Sequence, residues 1–555
     1  MRTSASGESG GAPGWRSPSS PPVCLKEETS KMMGYCCFSR RLALSLAVGT
    51  ITACATNGTS GSPDGSSVAS GNSSAGTSST SSGGDGASSV GFGSSSSFGS
   101  GQSGLTDAST SSRSSGEYEG GLDDHSSDGP SEGSSSLGTG DGGLTGTCIG
   151  ASATGPLPWP EANWVVTNVT ALFPSPKWSQ KTCTITDAAY GGKGDGVTDN
   201  TTAFQKAIAD CTMSGGGRVD VPAGTYSTGA ILLDNDVEIH FETGTIVKFN
   251  GNVAEYPTVL TRYQGTPIMN NSPMVYAYQK TNIAVTGPGI LDASGSPVFN
   301  PRVNFFEPYD CTNVYVQGIT LRGTRFWQFH PTLSKNVLFD GVTTVDNGIE
   351  NNDGFDPESC TNLVLQNSNI EAHDDAMAIK SGRNPAGAQI NIPTSCFVFQ
   401  HNSYQSSGWG LMTLGSELAG GINHVYGYDV KTVGAGVQYL FEIKGNTFEC
   451  GVVDEIYMDT VSSTGGVHRG IMWADMNYMD LTGSCKPTFG NFGLTHATIS
   501  DAPFVMNLVS YSAYPIGAID MSNSTYTGIA NPNNVATYVG PVTWTGTTIN
   551  GSPAK

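Results

Sequence analysis

Short segments with apolar residues at alternate positions recur along the middle of the chain, each opened by a polar residue. Asn282-Ile-Ala-Val, Asn313-Val-Tyr-Val, Asn336-Val-Leu-Phe, Asn362-Leu-Val-Leu and Asn423-His-Val-Tyr share one plan. The first four starts lie 31, 23 and 26 residues apart, and Cys396-Phe-Val-Phe falls between the last two segments. Alternation with a period of two is the signature of a strand with one buried face. Its return every few tens of residues is the signature of a solenoid. A sandwich or propeller would need hairpin turns, and few Asn-Gly or Asp-Gly pairs separate the segments. The pattern therefore predicts an all-β, right-handed parallel β-helix. One helical face stands out, Asn200 to Cys211 with Phe204, Ala207 and Ile208 on one side. It predicts a short N-terminal capping helix over the open end of the core.

The N-terminal quarter has another character. Residues 1–31 are a Ser-, Gly- and Pro-rich extension before Met32 and Met33, either of which would serve as a start. Residues 32–54 read as an export signal, with Arg40 and Arg41 before the apolar run Leu42 to Thr52. That run is too short to span a bilayer as a helix. It ends Ile51-Thr52-Ala53-Cys54, which resembles a bacterial lipoprotein signal with Cys54 as the lipidated residue. The competing reading is an ordinary cleavable signal with a chance cysteine. Residues 55–147, rich in Ser and Gly, predict a disordered linker that cannot bury enough apolar surface to order itself. The folded domain is then 148–555. The expected location is exported, as a lipoprotein at the cell surface or as an extracellular protein. The only membrane contact is then the N-terminal lipid, and the expected state is a monomer.

A net charge of −21 argues against nucleic acid as a partner. It argues against a polyanionic substrate too, unless basic groups cluster at the site. Eight cysteines follow the linker, and an exported chain permits disulfides. Cys183–Cys211 is the favoured pair. Cys311 and Cys360, each in the context Cys-Thr-Asn, read as small buried residues.

The chemistry is concentrated in two acidic clusters. Asp353 sits in the run Asn351 to Asp356, and Asp374 and Asp375 open a run that closes at Gly382. The offset from Asp353 to Asp374 is 21 residues, close to one coil. Neighbouring coils lie roughly 4.8 Å apart, so three carboxylates would converge on one surface, as in acid/base glycosidases. Three such groups cannot all ionise freely, and one pKa should rise. The bland alternative is that each Asp caps a turn. Strand parity adds a condition. Met377 and Ile379 as core residues put Asp375 on their side, with Asp374, Ala376, Ala378 and Lys380 opposite. Both aspartates reach one groove only if the pair sits at a corner or bulge.

From about Cys183 to Tyr478 the chain resembles the polygalacturonase family, glycoside hydrolase family 28. Gly191 to Asp199 (Gly-Gly-Lys-Gly-Asp-Gly-Val-Thr-Asp) and Val221 to Tyr226 resemble the opening coil of β-helix pectin enzymes. Thr286 to Asp292 and Trp327 to Pro331 resemble further family segments. The diagnostic motifs are Asn-Thr-Asp, here Asn351-Asn352-Asp353, and Asp-Asp-Cys, here Asp374-Asp375-Ala376. The resemblance implies Asp374 as general acid, with Asp353 and Asp375 holding and deprotonating water. Inversion follows, with carboxyl groups roughly 6.5–9.5 Å apart. It implies a pectic polysaccharide as substrate and neither cofactor nor metal.

Two motifs depart from the family. Gly-His-Gly reads Gly408-Trp409-Gly410, and Arg-Ile-Lys reads Glu442-Ile443-Lys444. Trp409 cannot exchange a proton; it stacks on a sugar or is core, and its flanking glycines favour a groove. In the family, the Arg and Lys of the second motif bind the substrate carboxylate. Here Glu442 either neutralises Lys444 or forms an exposed ion pair worth little. Lys444, Trp409, Tyr478, Glu442 and Asn351 are the expected substrate-binding residues. Arg383, His330 and Arg325 are candidate replacements for lost contacts. The alternatives are hydrolysis of a different or decorated glycan, a non-catalytic glycan-binding β-helix, and a calcium-dependent β-helix lyase. For the lyase, no Arg or Lys base is apparent.

Overall fold

The computed structural model describes residues 147–555. The extension, the signal with Cys54 and almost all of the linker lie outside the described residues. Within them the chain winds into a stack of parallel coils, the β-helix expected from the period. Coil pairs on coil in strict register. Ile283 faces Val314, and the column continues through Val337, Leu363, Phe397, Val425, Ile456 and Phe492. On another face Val275 leads a column through Phe306, Phe329, Phe355, Met377, Met412, Phe441, Met472 and Met506. Both columns are buried in one continuous core. Aromatic rings interlock along it, with Phe339 4.9 Å from Phe355 and 5.0 Å from Phe329.

The polar residue opening each repeat has its own column. The Nδ2 of Asn313 donates to Oδ1 of Asn282 at 2.8 Å, Asn336 to Asn313 at 3.0 Å, and Asn362 to Asn336 at 3.1 Å. Each of these asparagines has φ between 54° and 59°. Asn tolerates that left-handed turn better than most residues and bonds its neighbour above. The ladder ends at Cys396, which takes the same place in register and bridges instead to Cys148. One coil further on, the place belongs to His424, so Asn423 lies one residue off the ladder.

Helix α2 (Thr201–Met213) is the expected cap. Ala203, Phe204, Ala207, Ile208 and Cys211 are buried in the core. Cys211 bridges to Cys183 as favoured from sequence, and Cys450 bridges to Cys485. Cys311 and Cys360 are free and buried. Helix α1 (Pro160–Thr170) has no counterpart in the sequence reading. Its Ala162, Val165 and Val169 cover Leu338, Val364, Val398 and Tyr426. Those four stack in register on the outer face of the coils. These strands are apolar on both faces because both faces are covered. A hairpin of Thr258–Tyr263 and Thr266–Asn271 brings a second cover. It buries Thr261 on Glu307 and Arg262 on Glu358, on the face that carries the acids.

Candidate active site

Asp353 and Asp375 lie in neighbouring coils at one register position. The Gly354 N–H donates to the Asp375 carbonyl, and the Gln328 N–H to that of Asp353. The parity condition is met by a corner. The backbone bends at His373, Asp374 and Ala376. Ala376 and Met377, consecutive in sequence, both enter the core. Alternation breaks there, and Asp375 turns outward to Lys444 and Thr413. One oxygen from each of Asp353, Asp374 and Asp375 lies within 4.8 Å of the others. A water at the centre of such a triangle is about 2.8 Å from each corner, hydrogen-bond distance.

Each acid has its own surroundings. Asp374, the least buried at 8% exposure, accepts from the Asn351 N–H at 3.2 Å and its Nδ2 at 3.3 Å. Arg302 in turn fixes Asn351 by donating to its Oδ1 at 2.7 Å. Asp375 accepts from Lys444 Nζ at 2.7 Å, Thr413 Oγ1 at 2.6 Å and the Gly410 N–H at 3.1 Å. A Cβ on Gly410 would meet Thr413 Oγ1 at 2.6 Å, so only glycine brings its backbone this close. Gly410 thus lets the backbone approach Asp375. Asp353 Oδ1 and both oxygens of Asp356 have no donor within hydrogen-bond reach.

Burial pushes the Asp353 carboxyl well above the usual range, and Asp356 and Asp374 add to the rise. Burial also raises Asp374, with Asp375 second, while Lys444 and the Asn351 N–H pull against it. Asp356 is raised to about 7 by burial, against the pull of Lys380 and His330. Lys380 Nζ stands 3.9 Å from Asp353, 3.7 Å from Asp356 and 3.1 Å from Glu417. Burial works against its charge, but Glu417 and the two aspartates hold the ammonium above its usual range. Glu417, despite burial, is lowered to about 2 by Lys380 and Arg383. Lys380, Asp356 and Glu417 were passed over as site residues. The signal for two of them was parity, since Phe355 and Ile379 point inward and Asp356 and Lys380 follow each in turn. The acid triangle could also ligate a hard cation by its donor set. Lys444 and Lys380 already place positive charge at its edges, which weakens that case.

Several expectations change on inspection. Glu442 and Lys444 are not an exposed pair, at 0% and 4% exposure. Lys444 contacts Asp375 and stands 4.0 Å from Glu442, so the aspartate takes the ammonium. Glu442, faced by Thr413 at 3.4 Å, is shut off from the groove and is not a direct substrate contact. His330 is not one either. At 0% exposure it lies under the hairpin, with Nδ1 on the Asp356 carbonyl and Nε2 3.3 Å from Glu358. Asn351 serves Asp374. Arg383 is removed from the triangle, on Ser416 and Glu417. Arg325 donates to the Ser294 carbonyl. Trp409 and Tyr478, both half-buried, flank Lys444, whose Nζ is 5.5 Å and 5.3 Å from their ring centres.

A stack of parallel coils with three convergent carboxylates defines a parallel β-helix protein with a buried acidic site. The sequence model of glycosyl hydrolases family 28 matches residues 211–502. The chain belongs to that family. It is similar to a probable polygalacturonase of Vitis vinifera, 26% identical over 52% of this chain and 62% of that protein. It is also similar to an exo-poly-alpha-D-galacturonosidase of Dickeya chrysanthemi, 24% identical over 47% and 51%. The chain thus spans less than two thirds of either relative's length. Among solved structures, a hyperthermoactive exopolygalacturonase from Thermotoga maritima superposes with a TM-score of 0.64 at 25% identity. That match covers 70% of this chain and 96% of that one.

Glu442 makes stability depend on pH. Burial raises it to about 8 from 4.5, against Lys444 and helped by Asp375. A carboxyl raised on folding stabilises fully below its unfolded pKa, and the contribution is lost as pH rises through the folded value. The melting temperature should therefore fall between about pH 4.5 and 8, and fall less steeply in Glu442→Gln. Calorimetry across that window checks this; parallel curves for the two proteins would refute the assignment.

Proposed function

We propose that the protein is a hydrolase of pectin-like polysaccharides, and that Asp353, Asp374 and Asp375 are its catalytic groups. The observation that carries the reading is the carboxylate triangle at a bend on the outer face of the coils. Asp374, the most accessible of the three and raised by burial, donates its proton to the departing glycosidic oxygen. Asp375, gripped by three donors, accepts the proton of the attacking water. Asp353, at the third corner of the triangle, helps hold that water. The titration belongs to the cluster and not to single residues. Lys444, Trp409 and Tyr478 border the same groove and are the proposed substrate contacts. Asp374→Asn should cut release of reducing ends by at least ~10²-fold with an unchanged melting temperature. Full activity in that variant would remove the assignment.

Inversion is proposed on the family resemblance. One observation favours retention instead: the triangle is tighter than the ~6.5–9.5 Å of an inverting pair and near the ~5 Å of a retaining one. Three acids around one water reconcile the short spacing with inversion, because no carboxylate alone need reach the anomeric carbon. Proton NMR of the first product formed should show the anomer opposite to that of the substrate. The same anomer would instead make one aspartate a nucleophile.

Export is part of the proposal. Three disulfides, Cys148–Cys396, Cys183–Cys211 and Cys450–Cys485, fit an oxidising compartment. With Cys54 as lipid attachment, the expressed full chain should sediment with membranes, and Cys54→Ser should release it. Release of both forms alike would rule out the lipid anchor.

A further inference from the structure

Arg469 lies in the strand Val467–Asp475, where pairing with Val437–Lys444 slips by one residue. Val437 faces Val467, but Tyr439 faces Gly470. An extra residue in one strand is a bulge, and a bulge re-aims side chains. Here it swings the Arg469 guanidinium back along the stack to 5.1 Å from the centre of the Trp409 ring. Trp409 itself precedes Gly410, two coils away by register. In the coil between them is Tyr439, whose ring stacks on Trp473 at 4.7 Å. The platform is therefore built from neighbouring coils, while the arginine itself remains exposed.

Charge makes the position unusual. The chain carries −21, and the two lysines of the site are engaged by Asp375 and Glu417. Among the described residues no carboxylate lies within ion-pair distance of Arg469. Guanidinium stacked on an aromatic face uses its plane and leaves its edge donors in fork geometry for a bidentate anion. Glu442 is closed off and cannot read the substrate. We infer that Arg469 is a specificity-determining residue, which grips an anionic substituent on the sugar that lies beside Trp409. The substituent is a carboxylate or a sulfate ester, and the inference rests on the hydrolase reading for its substrate.

Binding tests it apart from turnover. In an Asp374→Asn background, oligogalacturonate and its methyl ester are titrated with and without Arg469→Gln. The acid oligomer should bind at least ~10-fold more weakly after Arg469→Gln, as expected for a lost charged hydrogen-bonded pair. The ester should bind equally to both proteins. Arg469→Lys, which keeps charge without the fork, should fall between. A parallel loss with a sulfated oligosaccharide assigns the grip to charge in general; a loss confined to galacturonate assigns it to the carboxylate. Unchanged acid binding, equal losses on acid and ester, or no binding of either oligomer would overturn the inference. Wild-type cleavage is read separately. Hydrolysis of a neutral glycan with Arg469→Gln indifferent would sink this inference and leave the hydrolase. Acid-selective binding without cleavage of any glycan would do the reverse.

Discussion

Register between successive coils is the constraint on which the rest of the structure depends. A parallel coil stacked on its neighbour at roughly 4.8 Å has one correct alignment, because a slip of one residue exchanges its two faces. The columns led by Val275 and Ile283 penalise any slip from the inside, by exposing a run of buried rings and branched chains. The ladder from Asn282 to Asn362 penalises it from the turn, by breaking a side-chain bond at each step. With both in place, residues 21 and 22 positions apart are delivered to one point, and no loop needs to close over them.

The same alignment gathers charge that is costly to hold. Asp353, Asp356, Asp374, Asp375, Glu417 and Glu442 are all buried, with Lys380 and Lys444 among them. Losing a partner from such a set is far more damaging than never having had the set, because the remaining charge stays buried. The structure answers with two devices. Lysines stand against some of the acids, Lys444 on Asp375 and Lys380 on Glu417. Elsewhere an acid keeps its proton, as Glu442 does to about pH 8. Protonation states, as much as positions, separate an acid from a base among chemically identical side chains.

The family's supporting shell is altered without dispersing its acids. A tryptophan stands where a histidine is usual, and a glutamate where an arginine is. The lysine of the second motif contacts Asp375 and stands between two aromatic rings. Glu442 is neutral enough to leave that contact alone. The acids and their immediate donors thus form one unit, and the residues around them form another that differs from the family pattern.

Much of this was legible in the sequence. Period and alternation identified the parallel coils, spacing paired Asp353 with Asp374 and Asp375, and a helical face marked the cap at α2. These features are local or repeat along the chain, so a pattern of neighbours carries them. What lies over the outer face was not legible. His330 was read as a candidate substrate contact, but it is fully buried beside Glu358, which pairs with Arg262 of a hairpin some sixty residues earlier. The apolar outer residues of four coils await α1, which arrives from far upstream and is pinned by Cys148–Cys396. Glu442 and Arg469 show the limit most clearly. One is sealed and the other bends to a different coil, because burial and bulges are decided by which remote segments meet there.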